Sequence, residues 1–172
     1  MRQVSVVCAR RRLIVSLFNI VLLHPQIPNN TGNIGRTAAA TGCALHIVHP
    51  IAFSMDEKAR RRAGLDYWDK VDCREHESWE AFLENESPER LWLFTKYGSG
   101  PPWGADLSEG DYLLFGGESD GVPPEVRAWA VERWGEQSLL AFPMESGIRS
   151  LNLATAVCAA VYEGMRQVRS RP

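Results

Sequence analysis

The stretch from Phe142 to Glu163, FPMESGIRSLNLATAVCAAVYE, joins the end of an apolar run to a polar loop and a long helical pattern. The apolar run over 139–142 is typical of a buried strand, and a polar loop over 143–149 follows it. Ser150 and Asn152 are residue types that cap the free N–H groups of a first helical turn. Because α/β sheets bind ligands beyond the carboxyl ends of their strands, we expect a ligand site at this loop. Taken alone, the same residues also fit an ordinary strand–loop–helix connection.

Short apolar runs and helical patterns alternate along the rest of the chain. Strands are predicted at 19–24, 44–49, 71–74, 91–95, 112–115 and 139–142. Helices are predicted at 31–41, 54–64, 79–86, 124–134 and from residue 151 to near the C-terminus. Since the strands are near-continuous apolar runs, the pattern indicates an α/β fold, a parallel sheet with helices on both faces.

Length and composition indicate one domain that follows a basic arm. The 172 residues are 45% hydrophobic and 23% charged, as in a globular protein. Residues 1–17 are basic and precede the first strand, so we expect an arm that is disordered or not native, then a single domain over 18–172. No apolar run approaches the roughly 20 residues of a membrane span, so no membrane partner is expected.

The cysteines and histidines carry no spacing typical of a metal site or a disulfide framework. The four cysteines form no CxxC pair. This pattern is typical of reduced thiols in a cytoplasmic protein. We therefore expect no metal and interpret His24, His46 and His49, which lie on or beside predicted strands, as structural.

Basic residues are clustered although the net charge is −2. One group consists of Lys58, Arg60, Arg61 and Arg62 on the predicted helix at 54–64. A local positive patch can bind phosphates on an acidic protein. The same residues also fit a solvated helix face.

Two further loops contain glycines after predicted strands. In NTGNIGR (30–36), glycines at a helix start would let backbone N–H groups approach an anion, and Arg36 in the first turn could hold a phosphate. In FGGESDGVP (115–123), three glycines and two acids suit a ligand that needs close backbone contact and hydrogen-bond acceptors. This loop is neither a GxGxxG fingerprint nor a Walker A loop. Both loops also fit plain turns or caps.

Taken together and in this order, NTGNIGR, LLFGGESDGVP and FPMESGIRSLNLATAV resemble the three motifs of the knotted SPOUT methyltransferases. IPNNTGN (27–33) and RRAGLDYW (61–68) resemble the short tRNA wobble-nucleotide 2′-O-methyltransferases of that superfamily. The resemblance covers about residues 19–166. It implies a C-terminal trefoil knot, a homodimer, the cofactor S-adenosylmethionine, and methylation of the ribose 2′-hydroxyl at the wobble position (34) in the anticodon loop of tRNA.

The resemblance also implies the roles of individual residues. The catalytic residues would be Arg36, Ser150 and Asn152. The cofactor-binding residues would be Phe94, Gly116, Phe142, Met144, Ser150 and Leu151. The RNA-binding residues would be Arg36, Lys58, Arg60, Arg61 and Arg62, and Tyr67 or Trp68 could stack on an unpaired base. Methyl transfer depends on positioning and needs no metal.

Three other functions remain open at this point. A SPOUT 2′-O-methyltransferase could act on another RNA such as rRNA, or the chain could be an RNA-binding module without catalysis. A dehydrogenase-like nucleotide-binding domain would need a glycine fingerprint that is missing. One departure from the family pattern concerns substrate contact: Lys96 is followed by Tyr97 and then Gly98, where relatives often have Lys-Gly.

Overall fold

Six parallel strands form the sheet of this protein, seen in a computed structural model that describes residues 16–54 and 66–171. The strands are β1 (Asn19–Leu23), β2 (Ala44–Val48), β3 (Asp72–His76), β4 (Leu91–Phe94), β5 (Tyr112–Gly116) and β6 (Leu139–Leu140). Their order across the sheet is β3-β2-β1-β5-β4-β6, and every neighbouring pair is parallel. The predicted parallel sheet is therefore confirmed.

Among the described residues, four α-helices cover the two faces of the sheet. They are α1 (Pro28–Thr41), α2 (Trp79–Glu86), α3 (Pro124–Trp134) and α4 (Leu153–Arg169), with short 3-10 helices at Trp68–Lys70, Pro102–Gly104 and Glu136–Ser138. Ile34 of α1 and Val157 of α4 belong to the core on one face. Phe82 of α2 and Val126 of α3 belong to the core on the other face. Helices on both faces, as predicted, explain why the central strands are apolar throughout.

The central strand β1 illustrates this double burial. Ile20 and Leu22 lie in one core and Val21 and Leu23 in the other, and all four are fully buried. Successive side chains of a strand point to opposite faces, so a strand covered on both sides must be apolar at every position. The edge strand β3, with the sequence DCREH, is mostly exposed and carries charged residues, as exposed edges commonly do.

The helix α1 begins earlier than its sequence pattern predicted. It starts at Pro28 instead of Thr31, because proline fits the first helical position where its missing N–H is not needed. It ends as predicted at Gly42, whose φ of 72° suits glycine. With 3.6 residues per turn, Arg36 lies in the third turn and not, as expected, in the first.

The loop before the last helix is longer than predicted. Strand β6 ends at Leu140 instead of Phe142, and α4 begins at Leu153 instead of Leu151. Pro143 cannot donate a ladder hydrogen bond, which agrees with the early end of the strand. Residues 143–152 are all exposed, so the polar part of the 142–163 stretch is a surface loop.

The predicted N-terminal arm (1–17) and the predicted helix at 54–64 lie largely outside the described residues. Of the predicted arm, Ser16 and Leu17 are described. The N–H of Leu17 donates to the carbonyl of Gly42, and its carbonyl accepts from the N–H of Gly110, both at 3.0 Å. The predicted helix at 54–64 lies outside the described residues except for Ser54.

Within the described chain, no helix has both the length and the apolar character that a membrane span requires. Of the described cysteines, Cys43 is buried and Cys73 and Cys158 are half-buried.

Candidate functional site

A cavity of about 480 Å³ lies beyond the carboxyl ends of the central strands. This volume is typical of sites for small molecules and cofactors. All six residues that the resemblance implied for cofactor binding line it: Phe94, Gly116, Phe142, Met144, Ser150 and Leu151. Asn152 also lines it. The loops after β4, β5 and β6 therefore converge on one cavity, although they are far apart in the sequence.

Three phenylalanines form one wall of the cavity. The ring of Phe94 stacks on that of Phe115, with centroids 4.6 Å apart and planes inclined by 14°. Phe142 lies on the ring of Phe94 at 5.8 Å with planes inclined by 28°. These rings also pack in the sheet's core. An apolar, aromatic lining of this kind suits a planar heterocycle.

The glycines after β5 are required by the packing of the chain itself. A Cβ on Gly116 would lie 2.1 Å from the carbonyl carbon of Gly121, so only glycine fits there. Gly121 has a φ of +70° and donates from its N–H to the carbonyl of Gly117 at 2.9 Å. The glycines therefore let the loop fold back on itself, and Gly116, Gly117 and Gly121 also line the cavity. That a ligand contacts their backbone stays a prediction.

Glu118 connects this glycine loop to the start of α1. Its carboxylate accepts from the backbone N–H groups of Gln26 at 2.8 Å and Ile27 at 3.3 Å, and from Nδ2 of Asn30 at 2.9 Å. A negative charge is favoured at a helix N-terminus, where N–H groups lack partners. Sequence reasoning treated the acids of this loop as acceptors for a ligand and missed this role. In the structure α1 begins at Pro28 and its cap residue, Ile27, offers no capping side chain, so Glu118 satisfies N–H groups at this helix start.

Asn152 extends the same connection to α4. Its Nδ2 donates to Oδ1 of Asn30 at 2.9 Å, and its Oδ1 accepts from the N–H groups of Ala154 and Thr155. The predicted capping of this helix is thus confirmed for Asn152. Ser150, the other predicted cap, is exposed and lines the cavity. Glu118, Asn30 and Asn152 form a continuous chain of hydrogen bonds across the three motifs.

Arg36 does not line the cavity. It follows Asn30, which does line it, by six residues, which is about 9 Å along a helix. The guanidinium of Arg36 lies over the ring of Tyr67, with Cζ 4.5 Å from the ring centroid. In the described part of the chain, no acidic side chain pairs with it. The cation is therefore exposed and available to an external anion.

Trp68 does not match its predicted role on the RNA. It is only 5% exposed and belongs to the core, so the prediction that it stacks on a base is wrong. A Cβ on Gly35 would lie 2.4 Å from its ring, which explains the second glycine of NTGNIGR. Of the residues expected to bind RNA, Lys58, Arg60, Arg61 and Arg62 lie outside the described residues.

A second polar cluster, which the sequence did not indicate, lies among β2, β3 and α2. Nδ1 of the buried His46 is 3.1 Å from Nε2 of His76, and Oε1 of Glu86 is 3.7 Å and 4.0 Å from these two atoms. Three ligand atoms this close could hold a metal ion. The ring centroids are 5.3 Å apart, however, the separation of two imidazoles whose nitrogens face each other directly. We interpret the pair as an N–H···N hydrogen bond.

Burial keeps the two imidazoles of this cluster neutral at physiological pH. It lowers the pKa of His46 to about 3, helped by the positive charge of Arg74 and by His76. Burial also lowers the pKa of His76, partly opposed by Glu86. Nε2 of His46 faces Oδ1 of Asn19 at 3.4 Å, which favours the proton on Nε2 and a free lone pair on Nδ1. The structural role expected for His46 agrees with this arrangement.

Comparison with known proteins identifies the class to which this fold and cavity belong. Residues 17–162 match the SpoU rRNA Methylase family. The chain belongs to this family, as its three motifs predicted. It is 46% identical over 153 residues to the tRNA (cytidine(34)-2'-O)-methyltransferase of Polaromonas sp., an alignment covering 88% of this chain and 91% of that one.

Two solved structures resemble the protein closely in fold. One, described as giving structural insights into the 2-OH methylation of C/U34 on tRNA, is 45% identical with a TM-score of 0.79 and covers 90% of this chain and 97% of its own. The other is the SpoU methyltransferase AviRb from Streptomyces viridochromogenes in complex with AdoMet. It is 25% identical with a TM-score of 0.70, covering 88% of this chain and 61% of its own.

Proposed function

We propose that this protein transfers the methyl group of S-adenosylmethionine to the ribose 2′-hydroxyl of the wobble nucleotide (34) of tRNA. The observation that carries the proposal is the convergence of the three motif loops on one cavity, tied together through Glu118, Asn30 and Asn152. The 46% identical relative bears the name of this activity, and a family member binds the same cofactor.

The cavity suits the proposed cofactor in shape and chemistry. The wall of Phe94, Phe115 and Phe142 would receive the adenine ring, and the exposed backbone of 143–152 would bond its polar edge. Met144 and Leu151 are partly exposed at the cavity and would be covered by the bound molecule. When bound, the sulfonium group supplies an electrophilic methyl. The protein's part is to hold the ribose oxygen in line with it.

The proposed catalytic residues have different tasks. Ser150, exposed at the cavity, would orient the ribose hydroxyl. The amide of Asn152 is occupied by Asn30 and by the N-terminus of α4, so it would fix the position of Ser150 two residues earlier. Arg36 stays protonated as guanidinium. We therefore propose that Arg36 binds a phosphate or ribose of the RNA, and that it does not remove a proton.

A homodimer and a knotted C-terminal stretch complete the proposal. Ile148 is 59% exposed and Tyr162 is 53% exposed, apolar surface on the last loop and on α4 that a partner subunit would cover. The proposed knot is supported by the path of 143–152 against the glycine loop, where Nη2 of Arg149 donates to the carbonyl of Ser119 at 2.8 Å.

The RNA would be held by phosphate contacts from Lys58, Arg60, Arg61 and Arg62, in addition to Arg36. Both subunits of the proposed dimer would contribute to this surface. The substrate is the anticodon loop of tRNA, and we place the reaction in the cytoplasm.

The decisive experiment maps the methyl group. The full chain is incubated with labelled S-adenosylmethionine and tRNA transcripts, and a matched transcript carries a 2′-deoxy nucleotide at position 34. We expect label in the ribose at position 34 and none in the deoxy transcript. Label on a base, or no label with any tRNA, would reject the proposal. Because the family is described by rRNA methylation, rRNA is included, and labelling of rRNA alone would favour that substrate.

A further inference from the structure

The side chain of Arg36 has one described neighbour that orients it. Its Cζ lies 4.5 Å from the ring centroid of Tyr67, within the range of a cation–π contact. An exposed arginine on a helix otherwise samples many rotamers, and the entropy lost in ordering it at the moment of reaction would oppose catalysis. A ring that already holds the guanidinium in place removes part of this entropic penalty.

The ring of Tyr67 is itself fixed to α1. Its hydroxyl donates to the carbonyl of Gly32 at 2.7 Å. Gly32 precedes Arg36 by one turn, and in an α-helix its carbonyl is the one that accepts from the N–H of Arg36. The next residue, Trp68, is buried against Gly35. The 66–68 segment therefore contacts α1 at the turn that carries Arg36. These contacts keep the ring of Tyr67 close to the Arg36 side chain.

We propose that Tyr67 is the positioning residue of Arg36: its ring aligns the guanidinium for the RNA during methyl transfer. The inference rests on the proposed function, in which Arg36 is required for turnover. It replaces the base-stacking role that the sequence suggested for Tyr67, because the hydroxyl is bonded to α1 and a face of the ring is covered by the guanidinium.

The experiment separates the ring from the hydroxyl in the full-length protein. Tyr67→Leu should lower kcat for tRNA methylation about tenfold, while the KM for S-adenosylmethionine stays within about twofold, since Tyr67 does not line the cavity. Tyr67→Phe should keep at least about half of kcat. Fluorinated phenylalanines at position 67 should lower kcat stepwise, because fluorine withdraws charge from the ring face without changing the packing.

Coupling to Arg36 decides between positioning and mere structural support. In an Arg36→Ala background, Tyr67→Leu should cause no further loss of kcat. Trp103→Leu, at an exposed aromatic residue remote from the cavity, is the matched control and should leave kcat unchanged. The proposal is overturned if the losses of the two single variants multiply, or if fluorination has no effect on kcat.

A second measurement does not depend on methylation. In solution NMR spectra, the side-chain signals of Arg36 should be shifted by the ring current of Tyr67, and the shift should persist in Tyr67→Phe and vanish in Tyr67→Leu. If this shift is present while wild-type protein methylates no RNA, the proposed function fails and the contact stands. If methylation is normal and the shift is absent, the inference about Tyr67 fails by itself.

Discussion

The side-chain amide of Asn152 donates to Oδ1 of Asn30 across 2.9 Å, although the two residues are 122 positions apart in the chain. Asn30 is only 6% exposed and donates in turn to Glu118, so both ends of its amide are occupied. A buried amide that loses a partner leaves an unsatisfied polar atom, which is unfavourable by about 1–3 kcal/mol. The asparagine pair therefore contributes to the relative position of the three motif loops, together with the contacts of Glu118 and Arg149.

Replacing Asn152 should affect stability and catalysis separately. Asn152→Ala removes a helix cap and should lower the free energy of unfolding by about 1 kcal/mol. It should also reduce kcat, because the start of α4 is no longer tied to Asn30. Asn152→Asp keeps the capping oxygen, lacks the donor and adds a carboxylate near Glu118, so kcat should fall with little loss of cap stability. Urea unfolding and methylation rates measure the two effects.

The matched control for this prediction is Ser78→Ala. Ser78 caps α2 by accepting from the N–H of Ala81 at 3.2 Å, away from the cavity. It should lose similar stability and keep its activity. An equal loss of activity in both variants would show that destabilisation alone explains the result for Asn152.

Gly116→Ala should weaken cofactor binding. Its Cβ would lie 2.1 Å from the carbonyl carbon of Gly121, so the loop that lines the cavity must move. Strain of this kind is typically 1–3 kcal/mol, and we expect the Kd for S-adenosylmethionine to rise about tenfold or more by calorimetry. Gly104→Ala is the control, because a Cβ there meets no atom within 4 Å. Unchanged affinity in Gly116→Ala would contradict the assignment of the cavity.

Arg36→Ala should slow turnover strongly and spare cofactor binding. Loss of a charged contact made to the RNA should lower kcat about 100-fold. The Kd for S-adenosylmethionine should stay the same, since Arg36 does not line the cavity. Arg133→Ala, at a basic residue near the end of α3, is the control for general loss of charge. Near-normal methylation by Arg36→Ala would remove Arg36 from the mechanism.

The protein should lose stability on acidification because of His46. Its pKa is about 3 in the folded state and about 6.5 when unfolded, so the unfolded chain binds more protons between these values. The free energy of unfolding therefore falls as the pH drops through this window, by up to about 1.4 kcal/mol per unit for one such group. His76, whose pKa is also lowered, adds to the same trend.

Comparison of two histidine variants isolates this effect. His46→Gln should flatten the dependence of the unfolding free energy on pH between about 6 and 4. His49→Gln should leave it steep, because His49 is partly exposed and faces Glu75 at 2.8 Å. Identical slopes for wild type and His46→Gln in urea unfolding series would contradict the assignment.

Local sequence patterns were sufficient for most of the architecture. The apolar runs at 19–24 and 112–115 predicted strands that lie side by side as β1 and β5. These strands are recognisable because a strand buried on both faces consists almost entirely of apolar residues. The pattern predicted α2 at its observed bounds and the end of α1 at Gly42. The pattern missed the length of β3, since an exposed edge strand with charged residues has no continuous apolar run.

The residues of the candidate site could be predicted from the sequence, but the structural roles of several of them could not. The residues expected to bind the cofactor line one cavity, because motif order brings strand ends together at one edge of a parallel sheet. The sequence did not show that other parts of the chain approach Gly35 and Gly116, since a glycine by itself does not reveal whether a ligand or another segment lies against it. Glu118 was missed because its partners, Gln26 and Asn30, are far from it in sequence.

By itself, the sequence determined the parallel α/β sheet, the family and the loops that form the cavity, since periodicity, turn residues and motif order are local properties of the chain. The tertiary structure alone decided that Glu118, Asn30 and Asn152 are bonded to one another and that Arg36 stands on the ring of Tyr67. Contacts between residues so distant along the chain depend on how its elements pack, and no local pattern specifies that packing.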